Sequence, residues 1–211
     1  MTDPTFLPDG YHALAPGKLA NLVTFLEMTE RPAKPSKQPP VGFSLEAVKS
    51  WNTDDFLDLY REIGWEWLWS SRLLMSREKL QAKLAASHMR CWCPVRGGRR
   101  MGIVEMDISK PNETEISFFG LVPDAVGGGI GGWLMREAIE IAFARPGVGR
   151  LWLHTCHFDS PQALPFYMHL GFKPYARAVE VHDDARLLGQ LDESAGPHVP
   201  IIRNARAPDL D

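Results

Sequence analysis

The sequence predicts one α/β domain built around a mixed sheet. The first observation is the order of its patterns: strand, helices, hairpin, strand, helix, strand, helix, strand, which fits neither a helical bundle nor a β-sandwich. The second is the length of 211 residues, which suffices for one substantial core. The third is a glycine cluster at residues 127–132 between a strand pattern and a helix pattern. We therefore expect a single domain over residues 1–211, with its core at about 18–182 and a loosely structured tail at 183–211.

The first part of the chain contains a strand pattern and two helix patterns. Residues 22–28 form a short run of apolar and β-branched side chains, which is typical of a strand. A helix is predicted to begin at Asn52 or Thr53, because both residue types cap helices and apolar residues follow at helical spacing. A second helix is predicted to begin near Ser76.

The rest of the core alternates between strands and helices after a hairpin. The dipeptide Gly97 and Gly98 stands between two strand patterns that together cover residues 89–108, and it predicts a tight antiparallel turn because both residues can take positive φ. The later patterns predict three strands and two helices, in the order strand 115–122, helix 129–144, strand 150–157, helix 161–170 and strand 175–182.

Composition and charge favour a small-molecule ligand. The net charge of -3 and the pI near 6.2 give no electrostatic reason to expect nucleic acid. The chain has neither a signal-peptide pattern nor an apolar run of the roughly 20 residues needed to cross a bilayer, so we expect a cytoplasmic protein without membrane contact. Three cysteines do not suggest a disulfide framework, and reduced thiols are expected.

The glycine cluster predicts a phosphate-binding turn. Gly127, Gly128, Gly129, Gly131 and Gly132 allow positive φ and close approach of a ligand to the backbone. The first turn of the following helix would offer unpaired N–H groups to an anion.

Two familiar glycine motifs fit this cluster poorly. A P-loop would require Lys and then Ser or Thr after its glycines, where Gly132 and Trp133 stand instead. A dinucleotide fingerprint matches Gly127, Gly129 and Gly132, but the loop does not follow its strand tightly. The acid expected at the end of the next strand is also missing, since His154 lies there.

Two segments resemble the GNAT superfamily of N-acetyltransferases. The segment LVPDAVGGGIGGWLM is similar to the strand-to-helix signature that grips acetyl-CoA, and SPQALPFYMHLGFKPY is similar to the closing motif with its Ala, Tyr and Gly-Phe. Together they span roughly residues 113–180. The resemblance implies a mostly antiparallel, twisted mixed sheet with helices on both faces. It also implies that acetyl-CoA is the cosubstrate, that no metal is needed, and that a homodimer is a possible assembly.

The resemblance assigns the cofactor contacts to the glycine cluster and to the start of the last helix. It implies that the strand end binds pantetheine and polarises the acetyl carbonyl through its backbone. Two positions depart from the family pattern: Val126 replaces the usual Arg or Gln, and Ser160 replaces the usual Asn. Several backbone amides can offset a lost side chain. The expected cofactor-binding residues are Leu121, Val122, Gly127, Gly128, Gly129, Ile130, Gly131, Gly132, Ser160 and Ala163.

The resemblance also implies an acid and a base for direct acetyl transfer to a small-molecule or peptide amine. Tyr167 is the expected acid for the departing thiolate, and Glu115 matches a glutamate that serves as the base in some GNAT enzymes. Glu105 on the hairpin is the second candidate base, and either glutamate could instead be a solvated strand residue. The tryptophans at residues 65–69 could line the acceptor pocket or pack in the core. The alternative function is a non-catalytic acyl-CoA-binding or regulatory domain.

Overall fold

The sheet contains strands from almost the full length of the chain. The computed structural model describes residues 6–33, 38–204 and 206, so residues 205 and 207–211 of the expected tail lie outside the described part. The strands are β1 (Lys18–Met28), β2 (Phe43–Val48), β3 (Met89–Arg96), β4 (Arg99–Arg100), β5 (Gly102–Asp107), β6 (Glu113–Leu121), β7 (Arg150–Cys156) and β8 (Lys173–Asp183). The helices are α1 (Thr53–Gly64), α2 (Arg77–Leu84), α3 (Ile130–Phe143) and α4 (Ala163–His169).

The described strands form one mixed sheet in the order β2-β3-β5-β6-β7-β1-β8, and β4 pairs with β3. Strands β6 and β7 are parallel, and the other neighbouring strands are antiparallel. The predicted mixed, mostly antiparallel sheet is therefore confirmed. The N-terminal strand β1 lies between β7 and β8, so this half of the sheet combines both ends of the chain.

Local sequence signals explain where several elements begin. The side chain of Asn52 accepts hydrogen bonds from the backbone N–H groups of Asp54 and Asp55 at the start of α1, and the Ser76 hydroxyl accepts from Lys79 at the start of α2. The hairpin turn is confirmed as well, since Gly97 and Gly98 have φ values of 58° and 78°.

Helices cover both faces of the sheet, as predicted. Ile103 of β5 belongs to a cluster with α1 residues, whereas the next residue, Val104, belongs to a cluster with α3 residues. Because successive strand residues point to opposite faces, α1 lies on one face of the sheet and α3 on the other. We call these the α1 face and the α3 face.

The segment after β8 has no helix or strand over residues 184–204, yet it is packed against the core. The guanidinium of Arg186 is buried, pairs with Asp184 and donates to the carbonyl groups of Ala195, Gly196 and Val199. The sequence-based expectation of loose structure missed this packing, because the apolar residues that reach the core, at positions 185, 191, 195 and 199, follow no regular spacing, and a buried arginine binds the carbonyl groups near them. Among the described helices, none is long and apolar enough to cross a membrane.

Candidate active site

The candidate site begins where the two parallel strands separate. Strands β6 and β7 pair over residues 113–116 of β6, and the last pair joins Ile116 to Leu153. Ser117 is then an extra residue in β6, because Met106 pairs with Ile116 while Glu105 pairs with Phe118. Such a bulge bends its strand away from a neighbour. Both strands continue beyond this point without pairing to each other, which leaves an opening between their carboxyl ends.

The glycine cluster lies at the start of α3, directly after β6 and a short 3-10 turn at Pro123–Ala125. Gly127, Gly128 and Gly129 have φ values of 99°, 57° and 79°, which other residues adopt only with strain. A Cβ atom added at any of these three glycines would meet nothing within 4 Å. The bend is therefore open and is not filled by the protein's own side chains.

The first turn of α3 has free hydrogen-bond donors. Ile130 donates to the Gly127 carbonyl and Trp133 to the Gly129 carbonyl. Within the described part of the chain, the N–H groups of Gly131 and Gly132 donate to no carbonyl. Unpaired N–H groups at the positive end of a helix are suited to bind an anionic oxygen.

The residues that flank the glycine cluster are partly buried and partly exposed. Leu121 approaches Gly131, whose added Cβ atom would lie 3.8 Å from a Leu121 methyl carbon, and Val122 is fully buried. Val126, by contrast, is 71% exposed, so the position that departs from the family pattern faces solvent. Ser160 accepts a hydrogen bond from the N–H of Gln162 through its hydroxyl and from Ala163 through its carbonyl, which shapes the start of α4.

Tyr167 of α4 lies in an aromatic cluster beside the separated end of β6. Its ring centroid lies 6.2 Å from that of Phe119 and 5.4 Å from that of Phe166. Phe166 also approaches the glycine cluster, because an added Cβ atom on Gly131 would lie 3.8 Å from its ring. Burial, with a smaller contribution from the charge of Asp159, raises the pKa of Tyr167 above its usual value. The phenol is therefore protonated at neutral pH, and in this form it can act as a proton donor.

Glu115 lies on the opposite face of the sheet from Tyr167. Its neighbour Ile116 packs with α3, so Glu115 points to the α1 face. It pairs with Asp107 of β5 and Trp152 of β7, one residue before the strands separate. Burial and then the negative charge of Asp107 raise the pKa of Glu115.

Glu105, the second candidate base, is fully buried in an ion pair. The Arg72 guanidinium donates to its Oε1 atom and stacks 4.6 Å from the centre of the Phe118 ring. Oε2 of Glu105 and Nε of Arg72 are buried without a hydrogen-bond partner among the described residues. Glu105 thus lies beside the opening, where it pairs with Phe118 across β5 and β6, but its carboxylate is bound to Arg72.

Sequence reasoning did not identify Arg72 or Asp159 as part of this region. Arg72 lies in the segment between α1 and α2, where the conformation could not be read from the sequence. Asp159 accepts hydrogen bonds from the Thr155 hydroxyl and the Cys156 N–H, and it also accepts one from the Trp69 indole at 3.4 Å. An acid that follows a strand by three residues could have been recognised only as a turn-forming residue.

The tryptophans of residues 65–69 differ in environment, since Trp65 is exposed and Trp69 packs in the core. Trp69 contacts Tyr60 and Phe118 through ring pairs of 5.3 and 5.1 Å, so it fills the α1 face beside the opening. Leu68 has a positive φ of 54° and is buried against the tail segment that contains Gly196. This segment therefore forms a fixed wall on the α1 face.

The histidine and cysteine positions do not form a metal site. In the part of the chain that the structure describes, no group of three or more His, Cys, Asp or Glu residues is arranged to hold a metal ion. Burial raises the pKa of the Cys91, Cys93 and Cys156 thiols to about 12 in each case. These cysteines are accordingly neutral thiols rather than reactive thiolates.

A separate groove of about 400 Å³ lies along the middle of α3 and the end of α4, where Arg136, Glu140 and His169 line it. It begins one helical turn beyond the glycine cluster, because Arg136 donates to the Gly132 carbonyl from four residues further along α3. It is not part of the opening between β6 and β7.

Structural comparison shows the same fold in several bacterial proteins. A GNAT-family protein from Novosphingobium aromaticivorans DSM 12444 aligns with a TM-score of 0.57 at 17% identity, over 81% of this chain and 69% of that one. A GCN5-related N-acetyltransferase from Sphaerobacter thermophilus aligns with a TM-score of 0.56 at 15% identity, over 78% of this chain and 52% of that one. A GNAT family acetyltransferase from Elizabethkingia anophelis, solved with acetyl-CoA bound, aligns with a TM-score of 0.50 at 17% identity, over 64% of this chain and 79% of that one.

Sequence comparison identifies the family. A search of curated proteins finds no significant match to this chain. A sequence profile of the acetyltransferase (GNAT) family, however, matches residues 45–172. This region contains the separated strands, the glycine cluster and the tyrosine of α4. Because the match covers more than half of the chain, this protein belongs to the GNAT family of acetyltransferases.

Proposed function

We propose that this protein is an N-acetyltransferase that transfers the acetyl group of acetyl-CoA directly to a primary amine in a ternary complex. The observation that carries the proposal is the open glycine turn at the end of β6, on the side of the opening where Tyr167 lies. The Elizabethkingia protein supports acetyl-CoA as the cosubstrate, because that member of the family was solved with it bound.

The glycine turn would hold the diphosphate of acetyl-CoA. The unpaired N–H groups of Gly131 and Gly132 and the positive end of α3 provide the favourable electrostatic environment. The exposed Val126 side chain cannot donate a hydrogen bond, so the binding energy would come from the backbone. The edge of β6 that no longer pairs with β7, near Leu121, would present N–H and C=O groups to pantetheine.

The opening would separate the acid from the acceptor. Tyr167 contacts Phe119 on the α3 face and would donate its proton to the thiolate that leaves when the C–S bond breaks. Because its pKa is raised, the Tyr167 phenolate is more basic than a thiolate whose thiol has a pKa of about 8.5, so the site must assist this proton transfer, for example by excluding water from the developing thiolate. The amine would enter from the α1 face, where Glu115 lies.

The acceptor amine must lose a proton before it can attack. A lysine-like ammonium with a pKa near 10.4 must be deprotonated at a cost of about 4.6 kcal/mol at pH 7. Burial raises the pKa of Glu115, which improves it as a base relative to an ordinary carboxylate. We therefore assign Glu115 a role in this deprotonation, while Glu105 remains bound to Arg72.

A non-catalytic acyl-CoA-binding domain is the second candidate function. It is favoured by Val126 and by Ser160, whose hydroxyl is used to shape α4. Both functions require CoA binding, but only the first requires turnover.

The test combines binding with turnover. CoA should raise the melting temperature, whereas NAD should not, and the release of thiol from acetyl-CoA should accelerate with at least one amine among spermidine, L-lysine, kanamycin and a lysine-containing peptide. Mass spectrometry should find the acetyl group on the amine nitrogen. Tight CoA binding without acetylation of any of these amines would favour the non-catalytic domain, and the absence of CoA binding would refute both functions.

A further inference from the structure

We propose that His154 is a further catalytic residue, which accepts the proton that the acceptor amine loses. This inference rests on the proposed function and names the group through which that proton reaches solvent.

His154 lies at the point where the strands separate. It directly follows Leu153, which forms the last β6–β7 pair with Ile116. Leu153 is buried with α3 residues, so the next side chain on β7 points to the α1 face. The contact with Phe25 agrees with this, since the two rings lie 5.6 Å apart on neighbouring strands.

This position is across the opening from the proposed acid. Tyr167 reaches the separated end of β6 from the α3 face, through Phe119. An acetyl group held between the strands would therefore have a proton donor on one side and an imidazole on the other. Direct transfer is compatible with this arrangement, because the amine adds to the carbonyl carbon to give a tetrahedral intermediate, from which the thiolate then leaves, and the two proton transfers occur at different atoms.

The ring of His154 is available to a ligand. The side chain is exposed, and its ring nitrogens make no hydrogen bond within the described residues. His157, three residues further on, differs because its Nδ1 atom accepts the N–H of Leu22. The imidazole of His154 therefore has a ring nitrogen that can accept a proton from a ligand.

His154 lies close enough to Glu115 to pass a proton from it to solvent. Since Glu115 pairs with Trp152, the Cα atoms of Glu115 and His154 are about 8 Å apart, which one water molecule between the side chains can bridge. Burial and the charge of Asp107 raise the pKa of Glu115. Once it is protonated, Glu115 therefore gives up its proton less readily than an exposed carboxyl group does. Other titratable or charged groups on this face or beyond the strand end include Glu27, Arg150, Cys156, Asp159 and Tyr175, and the charges of Asp107, Lys83, Arg72 and Glu105 act on Glu115.

The proton balance of the reaction is complete. The ammonium group gives one proton to His154, either directly or through Glu115 and water, and the neutral nitrogen then forms a bond to the acetyl carbon. The C–S bond breaks, the second nitrogen proton is lost, and the CoA sulfur receives the proton of Tyr167. Tyr167 is reprotonated by that second proton, and His154 releases the first to solvent. One acetylamide, one CoA thiol and one proton are formed from one ammonium and one thioester.

The experiment compares the pH dependence of His154→Asn with that of His157→Asn. The probe is the amine with the highest kcat/KM among spermidine, L-lysine, kanamycin and the lysine peptide. For the wild type and for His157→Asn, log kcat/KM should fall on the acidic side of the pH profile. For His154→Asn this fall should be absent, and kcat/KM at pH 7.5 should be about 100-fold lower. The melting temperature and the CoA dissociation constant should not change.

The wild-type protein supplies a second measurement. The NMR signals of the His154 ring should change over the same pH range in which log kcat/KM falls. A wild type that acetylates an amine while His154→Asn retains both its rate and its acidic fall would overturn the role of His154 but not the proposed function. A wild type that acetylates none of the four amines would refute the proposed function, and this inference with it.

Discussion

The glycine turn can be tested with two substitutions that impose the same strain at different places. Gly129 and Gly147 both have a φ of 79°, and an added Cβ atom would meet nothing within 4 Å at either position. Gly129 precedes α3 within the glycine cluster, whereas Gly147 follows α3 at its other end. A change to alanine at each therefore separates the cost of strain from the loss of a binding site.

The expected magnitudes follow from this geometry. A left-handed conformation costs an alanine about 1–2 kcal/mol, so both Gly129→Ala and Gly147→Ala should lower the melting temperature by roughly 2–8 °C in a domain of this size. At Gly129, relief of the strain by rotation of the neighbouring peptide would displace the first turn of α3, whose Gly131 and Gly132 N–H groups are the proposed donors to the diphosphate. Loss of one charge-assisted hydrogen bond costs about 1.5–3 kcal/mol, or roughly 10- to 150-fold in CoA affinity.

Calorimetric titration with CoA measures this difference. Gly129→Ala should bind CoA at least about 10-fold more weakly than the wild type, and Gly147→Ala should remain within about threefold of it. Equal affinities for the two variants would refute the assignment of the glycine turn as the diphosphate site, provided that both melt cooperatively.

Three other substitutions test the groups around the opening. Tyr167→Phe should lower kcat by about 100-fold with an unchanged CoA dissociation constant, measured by thiol release, and a kcat within about threefold of the wild type would remove Tyr167 as the acid. Glu105→Leu should lower the free energy of unfolding by about 3–5 kcal/mol in urea, because it leaves the Arg72 charge buried without its partner. Adding Arg72→Met should restore most of that loss, and a double variant that is as unstable as the two single losses combined would contradict the buried pair. The free energy of unfolding of Glu115→Gln should increase relative to that of the wild type as pH rises from about 4 to 7. The reason is that the raised folded-state pKa of Glu115 stabilises the wild type while the carboxyl group is protonated, and this stabilisation is lost when the group ionises at higher pH. Melting curves across that range check the trend, and a constant difference would mean that the pKa of Glu115 is not raised.

The local elements could be predicted because their signals are short-range. The hairpin follows from two adjacent glycines, and α1 and α2 begin where Asn52 and Ser76 offer side-chain oxygens to the first turn. The predicted helix at residues 129–144 corresponds to α3, whose boundaries differ from it by one residue at each end. These features depend on neighbours within a few positions.

The pairing of distant strands could not be predicted in the same way. Residues 22–28 were recognised as a strand, but nothing in that run indicates that it lies between residues 150–156 and 173–183. The opening itself depends on a single extra residue, Ser117, which has no distinctive composition. The buried pair of Arg72 and Glu105 was missed for a related reason, because a charged residue in a sequence is normally expected at the surface.

The position of β1 has a consequence for how the protein reaches its folded state. During synthesis, residues 18–28 are made more than 120 residues before either of their partner strands, so they must remain unpaired while most of the chain is translated. An apolar strand that waits this long can pair with a neighbouring chain instead. We therefore expect nascent or truncated chains that end before residue 150 to depend on chaperones.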